Sequence, residues 1–193
     1  MKHPAITCLD ELEALFAGAG GQLYGGEAIS QLEHALQAAL AAESEGATPE
    51  LIVAALLHDV GHLITGQGDD DVENGSNDHH EAIGAVALAA LFSEDVCQPI
   101  ALHVAAKRFL CATEPGYIKR LSPASLASLK LQGGIMDSLE AARFAARRHA
   151  ADAVRLRRWD EVAKVPGLAT PPLAHYLGIA QRVMVRGSLH AAF

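Results

Sequence analysis

The sequence predicts an all-α fold, a single helical bundle that spans residues 1–193. Half of the residues are apolar but only 5% are aromatic, a balance that favours closely packed, alanine-rich helices. Apolar residues recur at helical spacing, as at Ile29, Leu32, Leu36 and Leu40. No segment shows the alternation of polar and apolar residues that is typical of a strand.

Helical spacing and capping residues predict the elements in order. A short amphipathic helix covers 10–17, and an alanine-rich helix covers 28–43. Thr48-Pro49 opens the third helix, because Thr is a preferred N-cap and Pro suits the first helical position. The apolar run 51–57 predicts that this helix lies at the centre. Later helices are predicted over 78–91, 93–110, a short stretch after Ser122-Pro123, 137–149, 152–164 and 172–184.

Glycine, proline and polar residues indicate where the helices stop. Five glycines between 18 and 26 predict a loop, and so does the Gly-, Asp- and Asn-rich segment 65–77. Asp78 and Glu81 fit a capping box for the helix that follows. Pro99 is expected to kink its helix or to reset where that helix begins. We expect the tail 187–193 to be frayed.

Composition excludes several functional classes. Fifteen Lys and Arg against 23 Asp and Glu give a net charge of −8, so no nucleic-acid partner is expected. No apolar run reaches the ~18–20 residues of a membrane helix, and the N-terminus lacks a secretory signal. The three cysteines, Cys8, Cys97 and Cys111, are widely spaced and odd in number. This favours reduced thiols and a cytoplasmic location, while the oligomeric state stays open.

The histidines and acids suggest chemistry. The pair His58-Asp59 follows seven apolar residues, and buried polar groups need partners, of which a metal ion is one. Four further groups lie on other predicted helices: His34, His80, His103 and Asp160. Each alone is more often a satisfied core histidine or a surface acid. Five helices that each present such a group fit a metal site between facing helices.

The order of these groups along the chain resembles the dinuclear form of the HD-domain superfamily, written H…HD…H…H…D. The resemblance implies a helical HD bundle with two metal ions in its core, bridged by Asp59. The other ligands would be His34, His58 and Asp160 for one ion, and His80 and His103 for the second. Such a nitrogen-rich site favours iron, manganese or zinc over magnesium, but leaves both hydrolysis and oxygenation open.

A narrower resemblance covers roughly residues 21–184. It rests on these motifs: Tyr24-x-x-Glu27, His58-Asp59-x-Gly61-His62, His103-Val-Ala-Ala-Lys107-Arg108, Gln132-Gly-Gly-x-Met136-Asp137 and Arg157-x-Trp159-Asp160. Together they resemble the HD-domain mixed-valent diiron oxygenases, which cleave the C–P bond of 1-hydroxyphosphonates in organophosphonate catabolism. The resemblance implies two iron ions, as Fe(II)/Fe(III), with O2 as co-substrate and phosphate as a product.

The resemblance also implies which residues bind the substrate. Lys107 lies one helical turn from His103, and Arg157 lies one helical turn from Asp160. Lys107 would hold the phosphonate as a point charge, and Arg157 would hold it as a bidentate partner. Further phosphonate contacts would come from His62, Ser125 and Gln132.

Tyr24 and Glu27 would act as a lid over the site. The resemblance implies that Tyr24 fills the open iron position when substrate is absent, and that Glu27 attracts the ammonium end of the substrate. That ammonium is either primary, which gives glycine as product, or trimethylated, which gives glycine betaine.

Two other functions compete with this one. An HD-domain phosphohydrolase, which acts on a phosphate ester or nucleotide through metal-activated water, would use Lys107 and Arg157 equally well. The Tyr24-x-x-Glu27 motif and the two extra histidines argue against it. The complete ligand set argues against a non-catalytic HD-fold sensor.

Overall fold

A computed structural model of the chain describes residues 5–24, 27–66 and 77–185. Within these ranges it contains ten α-helices, one 3₁₀ turn over Tyr117–Arg120 and no strand, only two isolated β-bridges. The helices are α1 (Leu9–Ala19), α2 (Gln31–Ser44), α3 (Pro49–Leu57), α4 (Val60–Thr65), α5 (His80–Leu88), α6 (Glu94–Thr113), α7 (Pro123–Leu131), α8 (Ser138–Ala145), α9 (Ala150–Val162) and α10 (Leu173–Val183). The all-α prediction is confirmed.

Helix α3 lies at the centre of the bundle, as its apolar run predicts. Every residue from Leu51 to Leu57 is buried. The helix packs against α2, α6, α9 and α10, because a helix that is apolar on all sides must be covered on all sides. Thr48 caps it by accepting a hydrogen bond from the backbone N–H of Leu51. His58 and Asp59 follow directly, so the central helix delivers both side chains into the core.

Helices α4 and α5 approach each other unusually closely at Gly61. A Cβ atom at this position would lie only 2.1 Å from the carbonyl oxygen of His80. On the α5 side, a Cβ at Gly84 would lie 3.2 Å from the backbone nitrogen of Gly61. The two glycines therefore allow the start of α5 to rest against the turn that carries His58 and Asp59.

Two helix boundaries differ from the predictions. The predicted capping box is wrong, because the N-cap of α5 is His79, with a left-handed φ of 54°, and no side chain caps it. Asp78 instead accepts hydrogen bonds from the backbone and ring of His80. The helix predicted over 137–149 ends at Ala145, and a new helix begins at Ala150.

Other boundaries agree more closely. A capping box between Ser30 and Glu33 starts α2 slightly after the predicted position. Helix α6 runs without a break through Pro99, so it does not restart there.

Most of the predicted loop 65–77 and the predicted frayed tail 187–193 lie outside the described residues. The single-domain organisation over 1–193 stays a prediction.

The described residues also address the expectations about membrane helices and cysteines. None of the described helices is long and apolar enough to cross a membrane. Cys8, Cys97 and Cys111 form no disulfide.

Candidate metal centre

Six polar side chains from five regions of the bundle meet in its core, and we call them the metal centre. They are His34 of α2, His58 at the end of α3, Asp59 before α4, His80 at the start of α5, His103 of α6 and Asp160 of α9. All six are buried, with Asp59 the most exposed at 9%. The structure thus brings together every residue that the sequence nominates as a metal ligand.

In the first half of the centre, hydrogen bonds turn two ring nitrogens toward each other. The Nδ1–H of His34 donates to the carbonyl of Ala163, and that of His58 to the carbonyl of Ala55, each at 2.8 Å. In the neutral rings both Nε2 atoms therefore carry a lone pair, yet they lie only 3.1 Å apart. Two lone pairs at this distance repel each other unless a cation lies between them.

The second half of the centre repeats this arrangement. His103 donates from Nδ1 to the carbonyl of Ile100, and His80 donates from Nδ1 to Asp78, each at 2.8 Å. Their Nε2 atoms lie 3.2 Å apart. Ligand atoms that share one ion at ~2.1 Å are about 3 Å from each other, so each histidine pair has the spacing of a shared metal.

The carboxylate of Asp59 joins the two halves. Its Oδ2 lies 3.6 Å from Nε2 of His34 and 3.3 Å from Nε2 of His58. Its Oδ1 lies 3.5 Å from Nε2 of both His80 and His103. Asp160 faces the first half alone, with Oδ1 3.4 Å from His34 Nε2. The geometry therefore fits two ions bridged by Asp59, and the donor set fits a dinuclear transition-metal site.

The charges of the centre also favour bound cations. Burial lowers the pKa of His58, but Asp59 and Asp160 outweigh burial and raise that pKa to about 10, so the carboxylates draw positive charge to Nε2, as a proton or, in its place, a metal ion. Burial alone would raise the pKa of Asp160, yet Arg157 and the neighbouring imidazoles hold it well below its usual range. Burial and the neighbouring His80 lower the pKa of His103 to about 3, which keeps this ligand neutral.

Two buried cations lie beside the centre. Burial and the charge of Arg157 lower the pKa of Lys107 to about 7, and its ammonium donates to the hydroxyl of Ser128 at 2.7 Å. Arg157 forms ion pairs with Asp160 and with Glu161. Its Nε donates to the hydroxyl of Tyr117 at 3.2 Å. Both predicted phosphonate-binding cations are thus buried, in a protein whose net charge is negative.

Tyr24 covers the first half of the centre. Its ring stacks on the ring of His34, with centroids 3.7 Å apart, and its hydroxyl donates to Oδ1 of Asp160 at 3.4 Å. Burial and the charge of Asp160 raise the pKa of Tyr24 well above its usual value, so the phenol stays protonated. Glu27 lies nearby, with Oε1 3.8 Å from Nζ of Lys164.

The three remaining predicted site residues differ in their surroundings. His62 stacks on His80, with ring centroids 4.0 Å apart. Ser125 accepts hydrogen bonds from Arg157 and Lys164, each at 3.3 Å. Gln132 follows α7, and no hydrogen bond within the described ranges joins its side chain to the metal centre. Its Oε1 is buried and accepts no hydrogen bond there.

Comparison with known proteins decides the family. Residues 31–142, more than half of the chain, match the HD domain. The chain belongs to the HD-domain family. The hydroxymethylphosphonate dioxygenase of Gimesia maris is 47% identical over 157 residues, which cover 81% of this chain and 78% of that protein.

Two further relatives extend the match. The [1-hydroxy-2-(trimethylamino)ethyl]phosphonate dioxygenase (glycine-betaine-forming) of Leisingera caerulea is 40% identical over 190 residues, 95% of this chain and 97% of that protein. An uncharacterized protein of Acanthamoeba polyphaga mimivirus is 36% identical over 165 residues, 84% of this chain and 75% of that protein. The predicted resemblance to HD-domain hydroxyphosphonate oxygenases is confirmed.

Within this HD-domain site, sequence reasoning missed three residues. Asp78 links His62 and His80, with its Oδ2 2.9 Å from His62 Nδ1. Glu161 pairs with Arg157, and Lys164 lies between Glu27 and Glu161. The i+4 rule that selects Lys107 from His103 also selects Lys164 from Asp160, although Lys164 lies beyond the end of α9.

Proposed function

We propose that this chain cleaves the C–P bond of a 1-hydroxyphosphonate with O2 at a dinuclear iron centre, releasing phosphate and a carboxylate. The observation that carries the proposal is the pair of facing histidine couples joined by Asp59, with buried Lys107 and Arg157 beside them. Two relatives that cover most of the chain bear the names of dioxygenases acting on such compounds.

The residues divide the work of holding the metals. His34, His58 and Asp160 would hold one ion, His80 and His103 would hold the other, and Asp59 would reach both. When bound, a mixed-valent iron pair supplies the activation of O2 and the oxidation of the substrate carbon. The protein contributes ligation, the exclusion of water from a buried site and the neutralisation of substrate charge.

Lys107, Arg157 and Ser125 would hold the phosphonate. Arg157 already donates to Ser125, which also accepts from Lys164, so this hydroxyl marks where positive charge converges. A phosphonate oxygen at this point would accept a further charge-assisted hydrogen bond from Arg157, whose guanidinium has five N–H donors, while Glu161 stays paired with it. His62 and Gln132 are further candidates, because a ring N–H of His62 and the side-chain amide N–H groups of Gln132 are able to donate to a phosphonate oxygen.

Tyr24 and Glu27 would respond to the arrival of substrate. Tyr24 stacks on His34 and donates to Asp160, so it closes the first half of the centre until substrate displaces it. Glu27 would attract the ammonium group of a 1-hydroxy-2-(amino or trimethylammonio)ethylphosphonate, which yields glycine or glycine betaine. A second candidate substrate is hydroxymethylphosphonate, favoured by the 47% identical relative and by Lys164, which already lies beside Glu27.

Hydrolysis of a phosphate ester is the weaker alternative. The buried cations would suit it, but both relatives with a named activity are dioxygenases. The Tyr24 and Glu27 pair over the site also has no evident use in attack by a metal-activated water. The cytoplasmic location expected from the sequence stays a prediction.

Metal replacement under controlled oxygen tests the proposal. We would load the protein anaerobically with iron, manganese or zinc, count the ions per chain and assay phosphate release before and after admitting air. The substrates are 2-amino-1-hydroxyethylphosphonate, its N-trimethyl analogue and hydroxymethylphosphonate, with a simple phosphate ester as control. We expect two irons per chain and release that needs both iron and O2. Anaerobic release from the ester with manganese would establish a phosphohydrolase instead.

A further inference from the structure

Lys164 occupies a position that no predicted role accounts for. It follows α9, and its side chain is only 12% exposed. Its ammonium donates to the hydroxyls of Ser122 at 3.1 Å and Ser125 at 3.3 Å. It therefore bridges the start of α7 and the end of α9, beside the hydroxyl that Arg157 also contacts.

The same ammonium faces two carboxylates and an aromatic ring. Nζ lies 3.8 Å from Oε1 of Glu27 and 3.9 Å from Oε1 of Glu161. It also lies 5.8 Å from the centroid of the Tyr24 ring. Lys164 thus reaches both residues of the proposed lid, at the end of the site where a substrate tail would lie.

Glu27 is one of the two carboxylates closest to this ammonium. Its Oε1 is buried and accepts no hydrogen bond from any described residue. The distance of 3.8 Å to Lys164 is too long for a hydrogen bond but short enough for attraction between two opposite charges that are largely shielded from solvent. Glu161 cannot take over as the partner of a tail, because it is already paired with Arg157.

A substrate with a cationic tail would meet this lysine directly. The ammonium of the tail would need Glu27, the same carboxylate that attracts Lys164, and two positive charges beside one carboxylate repel each other. A substrate without a charged tail would meet no such conflict. Because Lys164 also donates to Ser125 beside the proposed phosphonate site, its effect on the tail is measured by the preference between ligands and not by affinity alone.

We propose that Lys164 is a specificity-determining residue, which competes with a cationic substrate tail for Glu27 and so favours 1-hydroxyphosphonates whose tail is absent or uncharged. The inference rests on the proposed function, since it takes 1-hydroxyphosphonates as the ligands. It predicts that neutralising Lys164 changes the preference between ligands more than it changes affinity as a whole.

Equilibrium binding to the iron-loaded protein without oxygen tests the inference independently of turnover. The ligands are hydroxymethylphosphonate and 1-hydroxy-2-(trimethylammonio)ethylphosphonate, and the variants are Lys164→Met and Lys164→Gln. The second keeps a hydrogen-bond donor for Ser122 and Ser125. We expect both variants to shift the ratio of the two Kd values at least about tenfold toward the cationic ligand.

Two controls separate this effect from a general change of charge or structure. Lys164→Arg keeps the charge and should keep the wild-type ratio. Lys130→Met removes an exposed lysine of α7 and should also leave the ratio unchanged. If neutralising Lys164 weakens both ligands equally, Lys164 is a phosphonate-binding cation and the inference is wrong. A ratio of the two Kd values that stays unchanged in the neutral variants also overturns the inference. If neither ligand binds the wild type, the proposed function is wrong as well.

Discussion

The four imidazoles of the metal centre are held by hydrogen bonds that fix which ring nitrogen faces inward. Three of them donate from Nδ1 to a backbone carbonyl, while His80 donates to the carboxylate of Asp78. A carboxylate partner makes an imidazole a stronger ligand and fixes the orientation of its ring. At the scale of single residues, Asp78 is thus an extension of the site, and it also contacts His62.

Asp78→Ala should weaken the binding of one metal ion much more than the other. The variant removes the partner of His80, so we expect the affinity of the second half of the centre to fall about 10- to 100-fold. Competition with a chelator, followed by counting the ions that remain per chain, measures this. The exposed Asp10 of α1 provides the control, Asp10→Ala. Parallel loss of both ions, or of neither, would contradict the role given to Asp78.

The affinity for a phosphonate should depend on pH through Lys107. Burial and the charge of Arg157 lower the pKa of this lysine to about 7, so its ammonium is present below pH 7 and is lost as the pH rises. Lys107→Met should therefore weaken binding about tenfold or more at pH 6, and by progressively less above pH 7. At each pH we would divide the Kd of Lys107→Met by the Kd of the wild type, because this ratio cancels the ionisation of the ligand itself. A ratio independent of pH would show that Lys107 does not bind the phosphonate.

At the scale of elements, close contact between α4 and α5 brings the two halves of the centre together. The carbonyl of His80 lies where a side chain at Gly61 would stand. Helical spacing predicts each helix that carries a ligand, because that signal is local. It does not predict how closely two helices approach. Nor does it predict that Asp78 serves His80 and His62 while His79 forms the N-cap of α5.

Gly61→Ala should destabilise the protein and disturb metal binding together. The added methyl group would meet the His80 backbone at 2.1 Å, and such overpacking costs about 1–3 kcal/mol or more of unfolding free energy. Gly18→Ala is a matched control, because that site in α1 has no atom within 4 Å of an added Cβ. It should leave the stability unchanged or raise it by up to about 1 kcal/mol. Chemical unfolding and metal counting of both variants measure these effects. If Gly61→Ala changed the unfolding free energy and the number of bound ions no more than Gly18→Ala does, the contact between α4 and α5 would not limit the site.

At the scale of the whole molecule, an acidic protein gathers positive charge in its interior. The net charge is −8, yet Lys107, Arg157 and Lys164 lie around one end of the metal centre. The order of the ligands and the resemblance to a family predicted which side chains would meet. They did not predict the long-range partners of the cations, because contacts such as Glu27 with Lys164 join segments far apart in the chain. Those contacts set the charge that a substrate tail encounters.

The source of the oxygen atoms in the products distinguishes oxygenation from hydrolysis. Conversion of a 1-hydroxyphosphonate to phosphate and a carboxylate adds one oxygen to phosphorus and one to carbon, and O2 supplies both in a dioxygenase reaction. We would run the reaction of the iron-loaded protein under ¹⁸O2 in ordinary water and analyse both products by mass spectrometry. If the chain is a dioxygenase, we expect one labelled oxygen atom in the phosphate and one in the carboxylate, before exchange with water. Phosphate that forms without the label and without consumption of O2 would show instead that its new oxygen comes from water, as in hydrolysis.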